Sequence, residues 1–303
     1  MDNLPSVAVI MSAYNAEEYI KDQVDSILHQ KDVNVRLWIR DDGSTDNTLE
    51  ILRKWYADDQ RVTIQSGPNL GARESFFEAL FGCEYECDWY GFSDADDVWV
   101  PEKLRHSIEF LSGCSAAVPA AVVTRLEVVD RHLNHKGYTA SPRKGLIFNN
   151  ALVETVASGA SMLINPEAYS AIRHYRPKFA VMHDSWIYLV LTAFGNMVYS
   201  EFPTIRYRQH ATNVYGTGHS FAKKVKLRFA RMKSVSPFRK QAVEFYREFS
   251  DRLEEHKRVA LKRYIGYTDS LHSRIAFAAV PTVCKQTRKA EIFMRILIFL
   301  GKE

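Results

Sequence analysis

Cysteine is scarce in this sequence, and long apolar runs are absent from it. Four scattered cysteines among 303 residues are too few for a disulfide framework. Cys83 and Cys87 have no second nearby pair, so they lack the pattern of a zinc site, and we expect buried free thiols. No uninterrupted apolar stretch reaches the roughly 20 residues of a membrane-spanning helix. The segment Met1–Pro5 lacks the basic flank and cleavage pattern of a signal peptide, which predicts a cytosolic location.

The composition is that of an ordinary globular protein, but its charge is divided unevenly along the chain. Hydrophobic residues make up 46% and charged residues 25%, with a net charge of only +4. Residues 219–303 contain 20 Lys and Arg against 8 Asp and Glu, a net charge of +12, whereas residues 1–218 carry a net charge of −8. This asymmetry predicts a polyanionic partner for the carboxyl-terminal region, either an anionic membrane surface or nucleic acid.

The first hundred residues alternate between strand and helix patterns. Short apolar runs indicate buried strands, and apolar residues at helical spacing indicate the helices between them. The predicted strands are 7–11, 33–39, 62–64 and 89–93, and the predicted helices are 16–30, 49–56 and 72–81. Such alternation predicts an α/β protein in which helices flank a parallel sheet and ligands gather at the carboxyl ends of the strands.

Two nucleotide-binding classes are disfavoured by what the first strand lacks. No Gly-x-Gly-x-x-Gly follows it, which argues against a dinucleotide-dependent oxidoreductase. The loop after it also lacks a basic, glycine-rich phosphate cradle, which argues against a nucleotidyltransferase.

Three carboxylates follow the strand 89–93 in the run Asp94-Ala95-Asp96-Asp97. Crowding carboxylates at the end of a buried strand is costly unless a cation is present. Oxygen ligands of this kind suit Mg²⁺ or Mn²⁺, which can in turn hold a diphosphate. The cluster therefore predicts a nucleotide-activated substrate.

Four segments in order carry a family resemblance: 9–15, 40–46, 69–71 and 93–99, which read VIMSAYN, RDDGSTD, NLG and SDADDVW. They resemble the signature of family two glycosyltransferases, whose GT-A fold has a Rossmann-like, mostly parallel sheet and whose acidic run is the DXD motif. The resemblance continues through Gly-Ala-Ser-Met, His-Asp-Ser-Trp and Tyr-Arg-Gln-His, so it covers roughly residues 5–215. Within the family, the combination of Asp-Asp-Val-Trp, His-Asp-Ser-Trp and Tyr-Arg-Gln-His is similar to that of bacterial rhamnosyltransferase-like enzymes.

The resemblance implies a site for a nucleoside-diphosphate sugar of the dTDP or UDP type. Ser12, Tyr14 and Asp42 match positions that hold the nucleobase. Asp42 would accept from the imide N–H of a pyrimidine, and Tyr14 would stack on the ring. Arg73 matches a further position that faces the base, with an exposed helix arginine as the alternative.

The matching positions in the acidic run divide between the ribose and a metal ion. Asp94 matches the carboxylate near the ribose, and Asp96 matches the one that binds Mg²⁺ or Mn²⁺ between the two phosphates. Asp97 is instead expected to cap the helix that Pro101-Glu102 begins, since proline is favoured in a first helical turn.

The second half supplies the matching catalytic base and the remaining phosphate contacts. Asp184 matches the general base that deprotonates the acceptor hydroxyl, with a simple helix N-cap as the alternative. Arg206, Arg208 and His210 alternate along a strand-like segment and therefore share one face. His210 would be the second protein ligand of the metal, and Arg208 would donate to phosphate oxygens. Alternatively, the face pairs with acids of the carboxyl-terminal region.

The carboxyl-terminal region reads as helical. Residues 221–232 interleave five basic residues with apolar ones, and residues 292–300 are strongly apolar but too short to span a bilayer. Interfacial binding to an anionic membrane is one interpretation, and packing onto the catalytic domain or homodimer formation is the other. Nucleic acid is disfavoured because the charges lie among aliphatic residues and no binding motif is present.

Together these patterns predict a GT-A catalytic domain at 1–215, divided into a nucleotide-sugar half at 1–112 and an acceptor half at 113–215, followed by a helical basic region at 216–303. The predicted function is metal-dependent inverting transfer of a sugar, rhamnose among the candidates, to a saccharide hydroxyl. The acceptor is expected to be lipid-linked, in bacterial surface polysaccharide synthesis at the inner face of the plasma membrane. The alternative is a catalytically silent nucleotide-sugar-binding scaffold in a polysaccharide assembly complex.

Overall fold

A computed structural model of the chain describes residues 4–209 and 236–303. In these residues one sheet contains the strands β1 (Ser6–Ala13), β2 (Asn34–Asp41), β3 (Val62–Ser66), β4 (Trp89–Ser93), β5 (Val98–Trp99), β6 (Ala120–Asp130), β7 (His135–Tyr138), β8 (Met162–Ile164) and β9 (Asn196–Gln209). The α-helices are α1 (Ile20–Leu28), α2 (Thr48–Tyr56), α3 (Ala72–Gly82), α4 (Lys103–Leu111), α5 (Phe148–Ala151), α6 (Pro166–Arg173), α7 (His183–Phe194), α8 (Pro237–Phe249), α9 (Glu255–Gly266), α10 (Leu271–Ala279) and α11 (Arg288–Phe299). Short 3₁₀ turns lie at Gly159–Ser161 and Ser250–Arg252.

The sheet has the order β3-β2-β1-β4-β8-β6-β9-β5, and β7 pairs with β6. The pairs β1–β2, β1–β4, β2–β3 and β6–β9 are parallel. Strand β8 is antiparallel to both β4 and β6, and β5 is antiparallel to β9. The predicted α/β class with a mostly parallel sheet is confirmed.

The register of the first strands brings the polar loops together. Met11 on β1 is paired with Ile39 on β2 and with Ser93 on β4, so the three strands end side by side. The run 7–11 is fully buried, as a strand covered on both faces must be. Helix α1 contributes the buried stripe Ile20, Val24 and Ile27 at the i, i+4, i+7 spacing of an amphipathic helix.

Two compact units are found from the contacts within the chain. The first consists of residues 1–141, 157–176 and 195–211 and includes the sheet; the second groups 142–156 and 177–194 with the carboxyl-terminal region. This division differs from the boundary predicted near residue 216, because α5 and α7 belong to the second unit. The predicted basic helix at 221–232 lies outside the described residues.

The second unit has an aromatic core between α7 and α8. The rings of Trp186 and Phe245 meet edge to face at 5.6 Å, and Phe245 lies 4.8 Å from Phe249. The helical character expected of the carboxyl-terminal region is confirmed for residues 236–303 by α8 to α11. Among the residues that the structure describes, no helix is both long enough and apolar enough to cross a membrane.

Candidate active site

The loops that follow β1 and β2 are joined to each other by hydrogen bonds. The Asn15 N–H donates to Ser44 Oγ at 3.0 Å, and the Thr45 N–H donates to Asn15 Oδ1 at 2.8 Å. Gly43 adopts φ +69°, and a Cβ there would lie 2.8 Å from the backbone nitrogen of Asn69. The close approach of the loop after β2 to the turn after β3 therefore requires glycine at this position.

Asp42 lies in a buried ion pair rather than on an open surface. Arg40 Nη1 donates to Asp42 Oδ1 at 2.5 Å, and the carboxylate also accepts from the N–H groups of Leu70 and Gly71 at 2.9 Å. Asp42 is only 1% exposed. Asp42 thus holds the Asn-Leu-Gly turn against β2, and its contact with a nucleobase stays a prediction.

Ser12 extends this network, while Tyr14 and Arg73 lie at the surface. Ser12 Oγ lies 2.6 Å from Ser75 Oγ, which in turn accepts from Arg40 Nη1 at 2.7 Å. Tyr14 is 49% exposed, so its ring is accessible for stacking. Arg73 is partly exposed, and its Nε donates to Glu74 at 2.8 Å. The structure therefore brings Ser12 and Asp42 into one network, and the contact of these residues with a nucleobase stays a prediction.

Asp41 is a candidate residue that the sequence motifs did not single out. It is buried, and its Oδ2 accepts from the Ser44 N–H at 3.2 Å, whereas its Oδ1 has no hydrogen-bond partner among the described residues. A buried carboxylate oxygen without a partner needs a donor from elsewhere. The alternation of side chains along a strand, which points Asp41 and Asp42 to opposite faces, was the available signal.

The acidic loop after β4 is anchored from α1. Gln23 Nε2 donates to Ser93 Oγ at 2.6 Å, and Ser93 Oγ donates to the Asp94 carbonyl at 2.7 Å. Asp94 and Asp96 are half-buried. The loop therefore presents two carboxylates at the edge of the sheet where β1, β2 and β4 end.

Asp97 does not cap the next helix, and the predicted helix cap is therefore wrong. Helix α4 begins at Lys103 with Glu102 at its N-cap position, whereas Asp97 Oδ1 accepts from the Arg208 backbone N–H at 2.9 Å. Burial and the charges of Asp96 and Asp94 raise the pKa of Asp97 well above its usual range. This carboxyl group belongs to the interior of the acidic loop, where β5 follows directly.

The acidic loop fits a hard divalent cation by its chemistry. Its three carboxyl groups supply oxygen atoms only, and Asp97 Oδ2 is buried with no partner among the described residues. Within residues 4–209 and 236–303, no three or more His, Cys, Asp or Glu side chains are grouped as a ready metal site. His210, the predicted second ligand, lies outside the described residues.

Arg208 holds the acidic loop in place. Its Nε donates to the Asp96 carbonyl at 2.9 Å and its Nη1 to the Arg131 carbonyl at 2.8 Å, while Nη2 lies 3.4 Å from Asp22. Its guanidinium also lies 4.6 Å from the centre of the Tyr19 ring. The predicted donation to phosphate stays a prediction, and the observed contacts make Arg208 a positioning residue for the loop.

Lys103 is a buried basic residue that the sequence did not indicate, and it lies close enough to Asp97 for their charges to interact. Its Nζ lies 4.5 Å from the centre of the Trp99 ring and has no hydrogen-bond partner among the described residues. Burial lowers the pKa of Lys103 to about 7, although the negative charge of Asp97 acts in the opposite direction.

Asp184, the predicted base, is described within the second unit. It is the second residue of α7, and its Oδ1 accepts from the Ser185 N–H at 2.7 Å. Asp184 therefore lies inside the first turn rather than at the N-cap, where the helix dipole favours a carboxylate. The preceding His183 is buried, which lowers the pKa of its imidazole to about 3 and keeps it neutral.

The segment that leads into α7 is held by two polar side chains of α8. Glu244 accepts from the N–H groups of Lys178 and Phe179 at 2.8 and 2.7 Å, and Gln241 Oε1 accepts from the Val181 N–H at 2.9 Å. Both Gln241 and Glu244 are buried. Helix α8 is thus part of the support for the start of α7.

Replacing Glu244 with alanine should destabilise this support. Two amide N–H groups would lose their carboxylate acceptor, which costs about 1–3 kcal/mol of unfolding free energy. Denaturant unfolding measures this effect. Glu248→Ala, an exposed change on the same helix, is the matched control; equal behaviour of the two variants would show that Glu244 does not support α7.

The chain belongs to Glycosyl transferase family 2, whose family model matches residues 8–173, more than half of its length. The match includes the β1, β2 and β4 loops described above. The family resemblance seen in the motifs is thereby confirmed, and the protein is a glycosyltransferase of this family.

Two curated relatives are bacterial glycosyltransferases. The chain is 28% identical over 235 residues to the dTDP-rhamnosyl transferase RfbG of Shigella flexneri, covering 71% of this chain and 77% of the relative. It is 29% identical over 197 residues to the putative teichuronic acid biosynthesis glycosyltransferase TuaG of Bacillus subtilis, covering 63% and 75%. One relative is thus named as a dTDP-rhamnosyl transferase, and the other is named for teichuronic acid biosynthesis.

Solved structures of low identity share the fold. TarS of S. aureus in complex with UDP has a TM-score of 0.59 at 16% identity, covering 98% of this chain and 88% of that chain. The mannosyltransferase PcManGT of Pyrobaculum calidifontis, in complex with GDP-Man and Mn²⁺, has a TM-score of 0.54 at 15% identity, covering 99% and 87%. These likenesses confirm the predicted GT-A fold.

Proposed function

We propose that this protein is an inverting glycosyltransferase that uses a dTDP or UDP sugar and glycosylates a hydroxyl of a saccharide acceptor in bacterial surface polysaccharide synthesis. The observation that carries the proposal is the half-buried acidic loop beside the polar network at the ends of β1 and β2, within a family 2 fold. Similarity to RfbG supports rhamnose as the sugar.

Recognition of the donor base is assigned to the ends of β1 and β2. Tyr14 would stack on the pyrimidine, and Ser12 and Arg73 would contact its edge. Asp41 Oδ1 has no hydrogen-bond partner among the described residues, which supports Asp41 as the hydrogen-bond acceptor for the base. Asp41 would then bind the imide N–H, while Asp42 holds the turn.

The acidic loop is assigned to the ribose and the diphosphate. Asp94 would accept from a ribose hydroxyl, and Asp96, with His210, would hold Mg²⁺ or Mn²⁺. When bound, such an ion neutralises charge on the diphosphate as the sugar–phosphate bond breaks. Arg208 would keep Asp96 in position through its backbone carbonyl. The Mn²⁺ complex of PcManGT supports this choice of ion for a protein of the same fold.

The transfer step is assigned to Asp184. Its carboxylate accepts the proton of the acceptor hydroxyl as that oxygen forms a bond to the anomeric carbon. The bond from the anomeric carbon to the phosphate oxygen breaks on the opposite face, and the nucleoside diphosphate leaves with the bonding electrons. A single displacement of this kind inverts the anomeric centre and needs no enzyme nucleophile.

The acceptor is proposed to be lipid-linked, which would bring the enzyme to the inner face of the plasma membrane as a peripheral protein. The net charge of +12 in residues 219–303 supports attraction to an anionic surface. Nucleic acid is not proposed as a partner, and a homodimer remains the competing use of the carboxyl-terminal helices.

Incubation with a panel of nucleotide sugars and Mn²⁺ or Mg²⁺ tests the function. We expect slow release of nucleoside diphosphate from dTDP or UDP sugars, with faster release once a suitable saccharide acceptor is added. Recovery of every donor intact after prolonged incubation, despite measurable donor binding, would instead identify a binding scaffold.

A further inference from the structure

Helix α11 is apolar on two opposite faces. Met294, Leu297 and Ile298 are buried against the second unit. The exposed residues Ile292, Ile296 and Phe299 are 53%, 50% and 50% exposed and follow the i, i+4, i+7 spacing of one helix face. A helix with two apolar faces is normally covered on both of them. Among the described residues, nothing covers this second face.

Helix α10 lies beside α11 and repeats the arrangement. Leu271 and Ile275, one turn apart, are exposed at 63% and 50%, whereas Phe277 is buried. The two helices run antiparallel. Arg295 Nη1 donates to the carbonyl of Ala279, the last residue of α10, at 2.8 Å, whereas Gly301, six residues further along the chain, lies beside Arg274 in the first turn of α10. We call the exposed residues Leu271, Ile275, Ile292, Ile296 and Phe299 the α10–α11 surface.

The charge of this hairpin is positive where it is exposed. Residues 271–303 contain six Lys and Arg and two Asp and Glu. Both acids are already paired, Glu291 with Lys144 and Arg295, and Glu303 with Lys285. Arg288 and Lys289, at the start of α11, are exposed and have no ion pair among the described residues. On the helix they fall on the side of Ile292 and Ile296.

We propose that the α10–α11 surface docks on an anionic lipid bilayer, with its apolar side chains in the interfacial layer and Arg288 and Lys289 at the headgroups. Exposed apolar side chains bordered by cations form the pattern of an interfacial helix. A second copy of the chain is the poorer occupant, since it would bring its own unpaired cations to the same contact. The inference deepens the proposed function, because its purpose rests on a lipid-linked acceptor.

Vesicle co-sedimentation of the full chain tests the apolar part of the surface. With phosphatidylcholine vesicles that contain phosphatidylglycerol, we expect Ile292→Asp/Ile296→Asp to lower the partition coefficient by about tenfold or more. The reason is that two isoleucine side chains would no longer be buried in the bilayer. Val259→Asp on α9, an exposed apolar residue of the same unit, is the matched control and should partition like the parent. Circular dichroism establishes that each variant is folded.

A charge arm distinguishes lipid from protein as the occupant. Lys289→Glu should lower partition about fivefold on phosphatidylglycerol vesicles and have little effect on phosphatidylcholine alone, whereas Lys262→Glu on α9 is the control. Equal partition of the parent and Ile292→Asp/Ile296→Asp would overturn the proposal. The proposal would also be overturned if light scattering showed that the parent is a dimer and that Ile292→Asp/Ile296→Asp dissociates it while vesicle binding stays unchanged. Donor hydrolysis should be the same in all variants. The vesicle-binding result can therefore contradict the membrane proposal without contradicting the proposed transferase function.

Discussion

Asp184→Asn is expected to lose sugar transfer while it retains donor binding. Asparagine keeps the size of the side chain and an oxygen that can accept from the Ser185 N–H, but it cannot take a proton from the acceptor hydroxyl. Removal of a general base should lower kcat by about 10²–10⁴-fold. The loss is measured as product formed from donor and acceptor, with the donor Kd determined in parallel by calorimetry.

A control of the same local type is available on α6. Glu167 is an exposed carboxylate in the first turn of that helix, so Glu167→Gln removes a negative charge from a helix start without touching the proposed base. It should transfer sugar at the parental rate. If Asp184→Asn also retained full transfer, Asp184 would be removed as the base.

Asp96→Ala is expected to abolish the Mn²⁺-dependent part of donor binding. In the proposed site Asp96 would hold the ion. Even residues that only orient a metal ligand change metal affinity about 10–100-fold, so loss of a ligand should cost at least a hundredfold. The backbone carbonyl of residue 96 is kept, so Arg208 retains its acceptor there. Thermal denaturation with a nucleotide sugar, with and without Mn²⁺, measures the effect.

The control for this variant is Asp58→Ala. Asp58 is an exposed acid after α2 in the same unit, so its removal changes the net charge equally without touching the loop. The Mn²⁺-dependent stabilisation should survive in Asp58→Ala. An undiminished Mn²⁺-dependent stabilisation in Asp96→Ala would mean that the acidic loop does not hold the ion.

The strands and helices of the first unit could be predicted because their cause is local. The apolar run 7–11 became β1, the helical spacing between residues 16 and 30 became α1, and the strand 89–93 was predicted with its bounds as observed. Parallel pairing followed from the alternation of these elements. The antiparallel insertion of β8 between β4 and β6 did not follow, because pairing between distant segments leaves no periodic mark in either of them.

The partners of the polar residues were less predictable than their positions. The motif that contains Asp41 and Asp42 was recognised, but only folding shows that Arg40, Leu70 and Gly71 take up the oxygens of Asp42 and leave one oxygen of Asp41 without a partner. The acidic loop was likewise placed correctly at the end of β4, whereas the hydrogen bonds that Asp96 and Asp97 accept from Arg208 join residues more than a hundred positions apart.

By itself, the sequence determined the fold class, the family and the acidic character of the loop after β4, since periodicity and contiguous motifs are local properties of the chain. Tertiary structure alone decided which carboxylate oxygens are occupied, which cations are buried at the acidic loop, and that α8 supports the start of α7. It also decided that one apolar face of α11 is covered and the other exposed. These properties depend on which surfaces are removed from water when distant segments pack together, and composition cannot report that.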